Sequence, residues 1–525
     1  MSDDARPTSD HAADRPADWQ APGAALVRSA ATDEIPALAD LGRVHIMGIA
    51  GSGMSALARI LLERGVPVSG CEARESITVA GLRALGADVV IGHSPGHVDD
   101  ADTFVYTTAI NPKHPEFVAA RDSAASGTRF LRRAAALAAA LEDHRCIAVA
   151  GTHGKTSTTS LLVVALQACG MDPSFAIGGN LYETGKNAHL GTGDVAVVEA
   201  DESDGSFLLT RPVAAVVTNV EADHLENHGD LEGIHRAFAQ FVDRVAPDGL
   251  LLTCADDAGA RRVADYARSA GRRVVTYGTG EDADVRVRDI VTSAAAVEFT
   301  VGGPGLGGQL RVRVGALIGA HMALNAAAAL VLAAEFGADV ATAAGAWAGF
   351  GGVHRRFESY GEGGGVRIYD DYAHHPTEIA ASLTAARAAL AADPHPRGSQ
   401  APRHDPRGSQ APRGGRLIAV FQPGTYSRTQ TFAREFADAM AIADIAVVMD
   451  IFPAREEPIP GVTGATIADL IDLPAGQVVY EPRYEAVPER IAAVARPGDL
   501  VVTMGIGNVY LLCPEIRAAC ERANA

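Results

Sequence analysis

The sequence predicts an α/β fold in which parallel strands alternate with helices, divided among three segments. Two observations indicate this. Short apolar runs recur along the chain, and each is followed by a polar loop and a helical apolar pattern. The length of 525 residues fits about three or four domains. We therefore predict doubly wound sheets, with ligands bound at the carboxyl ends of their strands.

Composition excludes several classes of function. The net charge of −19 argues against nucleic-acid binding, because such a surface needs a basic face. No apolar run approaches the ~18 residues of a membrane span, and the first residues lack a signal-peptide pattern. The six cysteines form no C-x-x-C pair and are expected to be reduced, mainly structural thiols. We therefore expect a cytoplasmic protein that is not inserted in a membrane.

Composition also divides the chain into a tail, three domains and an insertion. The first residues are polar, acidic and rich in Pro and Ala, which predicts disorder. A repeat of PRGSQAPR, made of residue types that cannot pack a core, predicts a disordered surface insertion. The predicted parts are a tail at 1–40, domains at 41–143, 144–354 and 355–525, and the insertion at about 393–415.

The N-terminal domain opens on a strand that runs into a glycine-rich turn. Gly48, Gly51 and Gly53 lie between this strand and a helix that begins near Met54. Such a turn brings a phosphate to a helix N-terminus or serves packing alone, and the spacing G-x-x-G-x-G leaves both interpretations open. Thr107 follows a later strand of the same domain.

In the central domain, the stretch GTHGKTSTT follows a buried strand over residues 146–150 and precedes a helix. It resembles a phosphate-binding loop, shortened relative to G-x-x-x-x-G-K-[ST]. A helix N-terminus presents unpaired N–H groups to an anion, and Lys155 is one of only three lysines in the chain. Glu199 and His224 follow two further strands, so these loops are expected to converge on one crevice.

Taken together and in order, the motifs resemble those of the Mur ligases of peptidoglycan synthesis. They are GTHGKTSTT, VVEADESDGSF, TNVEADHLENHGD, RRFE, DDYAHHPTE and FQPGTYSRT. The resemblance runs from about residue 42 to about residue 514 and is strongest to the branch that adds L-alanine. It identifies GTHGKTS as the shortened ATP loop of that family.

The resemblance implies an architecture and a reaction. The architecture has a Rossmann-like N-terminal domain for the UDP-sugar, a central P-loop ATPase-type domain and a Rossmann-like C-terminal domain for the amino acid. In the reaction, ATP phosphorylates the lactyl carboxylate of UDP-N-acetylmuramate, and the amine of L-alanine displaces phosphate to form an amide. The implied cofactors are ATP and Mg²⁺, and we expect a monomer or dimer.

The resemblance also assigns roles at the nucleotide. Loop N–H groups would hold the ATP phosphates, and Lys155 would neutralise charge on the transferred group. Thr156, Glu199 and His224 would bind Mg²⁺, for which the two oxygen ligands are better suited than the imidazole. The other implied nucleotide contacts are Gly151, Thr152, His153, Gly154, Ser157, His321 and Asn325.

Further implied contacts concern the other two substrates and catalysis. For the UDP-sugar they are Gly48, Gly51, Ser52, Gly53, Met54 and Thr107. In the C-terminal domain they are Asp371, Tyr372, His374 and Arg428. The implied catalytic residues, besides Lys155 and His224, are Arg355, Arg356 and His375.

The chain departs from the family pattern at several positions. Gly424 and Thr425 replace the His and Arg of QPHRYTRT, and Asn508 replaces the acid of a GAGD-like motif. Other Mur ligases carry a carbamylated lysine, whereas this chain has no lysine after Lys186. That absence favours the alanine-adding branch.

Two enzyme alternatives and one non-enzyme alternative remain at this point. A ligase that recycles a murein peptide onto UDP-N-acetylmuramate shares most of the motifs, and folylpolyglutamate synthase shares the ATP site. DDYAHHPTE and the glycine-rich N-terminal domain argue against the folate enzyme. A regulatory protein without turnover is disfavoured because Lys155, Thr156, Glu199 and His224 are all present.

Deleting residues 396–413 is expected to change ligase activity and melting temperature little. Surface segments without a core tolerate changes in length, because loop-closure entropy depends only weakly on length. Steady-state kinetics and thermal denaturation of the deletion variant test this. A large rise in the KM for L-alanine would show that the repeat belongs to the site.

Overall fold

The computed structural model describes residues 33–391 and 415–524, apart from residues 109, 183, 294, 454 and 455. Residues 1–32 of the predicted tail and residues 393–414 of the predicted insertion lie outside the described residues. Where the tail is described, Leu38–Asp40 forms a 3-10 turn, and Asp33 lies 2.9 Å from the guanidinium of Arg132. Three separate sheets carry the described chain, and the predicted α/β fold class is confirmed.

The N-terminal domain is a parallel sheet with the strand order β3-β2-β1-β4-β5. The order reverses between β1 and β4, which is the point where open α/β sheets bind ligands. The strands are β1 (Val44–Met47), β2 (Val68–Glu72), β3 (Asp88–Ile91), β4 (Thr103–Tyr106) and β5 (Arg129–Arg132). The helices are α1 (Ser52–Glu63), α2 (Ile77–Ala84), α3 (Pro115–Ser123) and α4 (Arg133–Ala140), with 3-10 turns at Pro95–Val98 and Ala124–Ser126.

The central domain is a sheet of ten strands, in the order β15-β14-β13-β12-β11-β10-β6-β9-β7-β8. The strands are β6 (Arg145–Ala150), β7 (Ser174–Ala176), β8 (Ala188–His189), β9 (Val195–Glu199), β10 (Ala214–Val217), β11 (Leu250–Cys254), β12 (Arg273–Gly278), β13 (Val285–Thr292), β14 (Ala296–Gly302) and β15 (Gln309–Gly315). The helices are α5 (Lys155–Ala168), α6 (Leu225–His228), α7 (Leu231–Arg244), α8 (Ala258–Ser269), α9 (Ala320–Glu335) and α10 (Val340–Ala346), with 3-10 turns at Ser206–Leu209 and Trp347–Gly349.

One edge of this central sheet differs from the predicted alternation of parallel strands and helices. Strands β13, β14 and β15 form an antiparallel meander. The connections between them are short, and a parallel crossover needs a dozen or more residues. The carboxyl ends of β6, β9 and β10 remain on the parallel side of the sheet, where the predicted crevice lies.

The C-terminal domain has the strand order β16-β17-β21-β18-β19-β20. The strands are β16 (Glu358–Gly363), β17 (Val366–Asp371), β18 (Leu417–Phe421), β19 (Ile445–Met449), β20 (Val478–Glu481) and β21 (Leu500–Met504). The helices are α11 (Pro376–Ala391), α12 (Tyr426–Thr431), α13 (Ala433–Met440), α14 (Ala465–Ala468), α15 (Val487–Ala492) and α16 (Cys513–Asn524), with 3-10 turns at Tyr484–Ala486 and Val509–Leu512. Its sheet is parallel except for the β16–β17 hairpin.

Apolar packing joins the first two domains more closely than the third. One continuous core runs from Leu57 of α1 to Leu161 of α5 and onward through the central sheet. The C-terminal sheet has its own core on each face. None of the helices in the described part of the chain combines the length and apolar character needed to cross a bilayer.

Candidate functional site

A cleft of about 840 Å³ lies where the three domains meet. The turn after β1 forms part of its wall, together with Thr107 after β4. Glu199 and Asp201, at the carboxyl end of β9, lie along the same cleft, and Tyr372 of the C-terminal domain completes this wall. The predicted substrate turn and a predicted metal ligand therefore border one continuous space.

The turn after β1 leaves room for a ligand against its backbone. Gly48 adopts φ +69°, a left-handed conformation that favours glycine. A Cβ on Gly51 would come no closer than 3.4 Å to another atom, the Gly48 carbonyl oxygen. Gly51 is exposed at the start of α1, whose first N–H groups lack intrahelical partners. Ser52, Gly53 and Met54 continue this wall of the cleft.

The loop between β6 and α5 requires glycine at both of its glycine positions. Gly151 has φ +129°, and a Cβ there would lie 2.0 Å from Thr218 Oγ1. Gly154 has φ +83°, and its Cβ would lie 2.9 Å from Asn325 Oδ1. Asn325 on α9 therefore lies against the loop.

Lys155 closes this loop on itself. Its Nζ donates to the carbonyl oxygens of Gly151 at 2.7 Å and Thr152 at 3.1 Å. It also lies 2.8 Å from Glu202 Oε2. Burial alone would lower the pKa of Lys155, but the nearby carboxylates of Glu202, Asp201 and Glu199 together outweigh burial and raise this pKa. Lys155 therefore carries a positive charge at the point where β6 and β9 end.

Two of the three predicted metal ligands are adjacent. Thr156 Oγ1 donates to Glu199 Oε1 at 3.1 Å, and Gly178 N donates to Glu199 Oε2 at 2.8 Å. His224 has φ +51° and lies 3.5 Å from carboxylate oxygens of both Asp223 and Glu226. Thr156 and Glu199 are therefore hydrogen-bonded to each other. The closest charged contacts of His224 are instead with Asp223 and Glu226, which are its neighbours in sequence.

His153, in the middle of the loop, reaches across to the C-terminal domain. Its Nδ1 lies 3.1 Å from Glu378 Oε1, and its Nε2 lies 3.5 Å from Glu221 Oε2. Burial lowers the pKa of His153, but these two carboxylates outweigh it and raise the pKa to about 9. The His375 ring lies 4.9 Å from the His153 ring, between centroids. Burial and then the charge on His153 lower the pKa of His375.

The two hinge arginines have different environments. Arg356 Nη2 donates to Thr156 Oγ1 at 3.3 Å, so Arg356 reaches the predicted metal site. The Arg355 guanidinium instead lies 2.9 Å from Asp370 Oδ2 and donates to the carbonyl oxygen of Gly505 at 2.6 Å. The contacts of Arg355 therefore lie within the C-terminal domain, and those of Arg356 cross to the central domain.

The remaining predicted contacts of the C-terminal domain are Asp371, His374 and Arg428. Asp371 accepts from Ala373 N at 2.8 Å, and its burial raises its pKa to about 6, although Arg356 opposes the shift. His374 Nδ1 lies 3.1 Å from Glu378 Oε2. Arg428 forms a short ion pair with Asp223 of the central domain.

The remaining predicted nucleotide contacts border the loop or the helix that follows it. Thr152 Oγ1 accepts from Glu221 N at 2.9 Å, and Ser157 is buried in the first turn of α5. His321 is partly buried at the start of α9. Burial, followed by the charge on Arg356, lowers the pKa of His321 to about 4. His321 is therefore neutral near pH 7 and can accept or donate a hydrogen bond.

Sequence reasoning missed the ion pairs that hold these groups in place. The partners are Glu202 for Lys155, Glu378 for His153, Asp223 for Arg428 and Asp370 for Arg355. All four stand inside the motifs quoted above or one residue from them. The sequence did contain a signal, because each of these motifs has an acidic residue to which no role was assigned. Such a residue, if buried, is expected to pair with a basic residue of another motif.

Profiles of three domain families match the chain. The Mur ligase family catalytic domain matches residues 43–145, and the Mur ligase middle domain matches residues 149–333. The Mur ligase glutamate ligase domain matches residues 355–395 and 407–507. Together these matches extend over most of the chain.

Full-length relatives are similar as well. A UDP-N-acetylmuramate–L-alanine ligase of Acidothermus cellulolyticus is 51% identical over 484 residues, covering 92% of this chain and 96% of that protein. The enzyme of the same name from Saccharopolyspora erythraea is 50% identical, covering 92% and 94%. Among solved structures, a UDP-N-acetylmuramate–alanine ligase of Thermotoga maritima superposes with a TM-score of 0.71 at 25% identity, covering 90% of this chain and 98% of that one.

Proposed function

This chain belongs to the Mur ligase family, and from that membership we propose that it joins L-alanine to UDP-N-acetylmuramate. The reaction consumes ATP, forms an amide at the lactyl carboxylate and releases ADP and phosphate. Two relatives at about half identity over nearly their whole length carry this activity in their names. That similarity favours L-alanine over a murein peptide as the amine.

The observation that carries this proposal is the shared cleft. The glycine turn of the N-terminal domain and Glu199 of the central domain border the same space of about 840 Å³. Glu199 in turn accepts from Thr156, which directly follows the loop lysine. A nucleotide-sugar held at the turn would therefore extend its far end toward the phosphates at the loop, as carboxylate phosphorylation requires.

The chemistry proceeds in two steps. A carboxylate oxygen of UDP-N-acetylmuramate attacks the γ-phosphorus of ATP, the bond to the β–γ bridging oxygen breaks, and ADP leaves. The amine of L-alanine then attacks the carbonyl carbon of this acyl phosphate, loses a proton and expels phosphate. The first step is needed because a carboxylate oxygen is a poor leaving group until it is phosphorylated.

We assign the charge stabilisation in the first step to the loop and two cations. The N–H groups of Thr152 and His153 donate to Asn219, so the N–H groups at the start of α5, which lack intrahelical partners, are the ones available to a phosphate. Lys155 and Arg356 carry the positive charges nearest to Thr156, one from each domain. Positively charged groups positioned in this way stabilise the equatorial oxygens of the transferred group.

The donor set near the loop fits a magnesium ion. The Thr156 hydroxyl and the Glu199 carboxylate are hard oxygen ligands, and their oxygens are 3.1 Å apart. These two residues would hold the ion, with His224 as a further candidate that the family resemblance supplies. When bound, Mg²⁺ offsets negative charge on the phosphates.

We place the reaction in the synthesis of peptidoglycan precursors, in the cytoplasm, where ATP and nucleotide-sugars are available. There it would support cell-wall growth, cell shape and division. For the amino acid, we propose the C-terminal loop with Asp371, Tyr372, His374 and His375, together with Arg428. Tyr372 borders the shared cleft, which supports a position of this loop next to the expected acyl phosphate.

The choice of amine is tested by product analysis. The purified protein is incubated with ATP, Mg²⁺ and UDP-N-acetylmuramate, together with either L-alanine or L-alanyl-γ-D-glutamyl-meso-diaminopimelate. Mass spectrometry is expected to show the L-alanine adduct and little of the peptide adduct. A faster rate with the peptide would assign the chain to murein-peptide recycling, and no adduct with either amine would contradict ligase activity.

Lys155→Ala is expected to lower kcat by about 10³-fold or more, because it removes a cation from the transferred phosphoryl group. It also leaves Glu202 without its partner in a buried position, so the melting temperature should fall. Steady-state kinetics and thermal denaturation give both values.

A double variant separates these two effects. Lys155→Ala combined with Glu202→Gln removes the unpaired charge, so the melting temperature should recover while kcat stays low. Recovery of activity in the double variant, or near-normal activity of Lys155→Ala at saturating ATP, would contradict the assigned role.

Gly51→Val is expected to raise the KM for UDP-N-acetylmuramate and leave the KM for ATP almost unchanged. The backbone at Gly51 accepts a Cβ without close contacts, so the side chain should enter the cleft without harming the fold. An increase of about tenfold corresponds to a loss of about 1.4 kcal/mol of binding free energy. Gly345→Val, on α10 with no atom within 4 Å of the added Cβ, is the matched control. If the KM values for both substrates rose equally, or neither changed, the turn would not be part of the UDP-sugar site.

A further inference from the structure

A cluster of histidine, cysteine and glutamate side chains lies on the face of the N-terminal sheet that is turned away from the central domain. His45 comes from β1, Cys71 from the end of β2, and Glu116 from the first turn of α3. His93 and His97 come from the loop and 3-10 turn after β3. The cluster does not border the cleft described above.

The ligand atoms of this cluster converge on one point. Glu116 Oε1 lies 3.0 Å from His97 Nδ1, 3.1 Å from Cys71 Sγ and 3.3 Å from His45 Nε2. All four atoms lie within 4.8 Å of one another. In a tetrahedral zinc site, ligands about 2.0–2.3 Å from the metal are separated from each other by about 3.3–3.8 Å. The three distances from Glu116 Oε1 are at this spacing or a few tenths of an ångström below it, and the other separations exceed it by at most about 1 Å.

The outer contacts of the cluster are those that orient metal ligands. His45 Nδ1 lies 3.0 Å from Ser69 Oγ, which leaves Nε2 directed at the centre. Nε2 is buried and has no hydrogen-bond partner among the described residues, although Glu116 is near. Metal-ligating histidines typically have their second ring nitrogen held by a hydrogen bond in this way. His93 Nδ1 lies 3.1 Å from Glu116 Oε2 and holds the second oxygen of that carboxylate.

Few apolar side chains on this face of the sheet are fully buried. The buried apolar group consists of Met47, Cys71, Val98, Phe104 and Ala120. Helix α3 buries only two of its residues, and one of these is Glu116, which is fully buried. A helix that docks through a buried carboxylate needs a compensating cation. Within the described part of the chain, Glu116 forms its ion-pair contacts with histidines.

We propose that His45, Cys71, His97 and Glu116 bind one Zn²⁺ ion, which fastens α3 and the turn after β3 to the N-terminal sheet. Sulfur, two imidazole nitrogens and one carboxylate oxygen are a donor set suited to zinc, whereas Mg²⁺ and Ca²⁺ require oxygen. One thiolate and one carboxylate together balance the charge of the divalent ion. Three of the four ligands are buried, so the site is closed and structural.

Elemental analysis of the full-length protein tests this assignment. The protein is saturated with Zn²⁺ and dialysed against metal-free buffer, and about one zinc per chain is expected to remain. Cys71→Ser and His97→Ala should each lower retained zinc at least about tenfold. Cys520→Ser, which alters an equally buried cysteine on α16, should retain it. Zinc should raise the melting temperature of the wild type and of Cys520→Ser, but not that of the two ligand variants.

Cobalt substitution makes the test independent of variants that fail to fold. Co²⁺ in the wild type should give intense tetrahedral d–d bands and a thiolate-to-cobalt charge-transfer band. Absence of both bands, with no zinc retained, would show a hydrogen-bonded polar cluster only. Retention of zinc by Cys71→Ser together with its loss in His375→Ala would place the ion at the group formed by His153, Glu221 and His375 instead. Either result overturns the proposal.

Discussion

The structure around the central loop depends on the ion pair between Lys155 and Glu202. This pair connects the loop between β6 and α5 to the segment that follows the neighbouring strand β9. The same ammonium group donates to two carbonyl oxygens of the loop. A buried carboxylate and a buried ammonium are stable here only as partners. A triphosphate that takes over the lysine must therefore leave Glu202 paired elsewhere or protonated, and burial already raises the pKa of Glu202. The loop is thus held in place by a contact that a nucleotide bound at the proposed site would replace.

Polar contacts connect the C-terminal domain to this centre. Thr377 Oγ1 donates to Glu221 at 2.6 Å, Arg428 pairs with Asp223, and His153 pairs with Glu378. The first two domains, by contrast, share one apolar core. Interfaces that are polar are typical of domains that move relative to each other. The third domain can therefore open or close at a small cost in free energy, while the glycine turn after β1 and the loop before α5 keep their relative positions.

The sequence predicted the fold class and the strand–loop–helix setting of both glycine-rich turns, because periodicity and glycine spacing are local signals. It predicted a strand before the first glycine-rich turn for the same reason, and β1 (Val44–Met47) lies there. It missed the antiparallel meander of β13–β15, since strand direction depends on connection length and edge position. It also missed the pairing of Glu202 with Lys155 and the division of roles between Arg355 and Arg356. Those depend on distances between segments far apart in the chain, which no spacing rule contains.

Cysteine spacing illustrates the same limit at Cys71. The absence of C-x-x-C pairs predicts structural thiols, yet the parallel sheet brings Cys71 to histidines from β1 and the turn after β3. Cys71 also serves the other site, because its carbonyl oxygen accepts from the N–H groups of Gly48 and Ile49, at 2.9 and 3.1 Å. Its side chain faces the histidine cluster while its backbone holds the turn that borders the cleft. A metal ion or hydrogen bond that restrains the Cys71 side chain therefore also restrains the backbone that would meet the nucleotide-sugar. Through this one residue the two faces of the N-terminal sheet are linked.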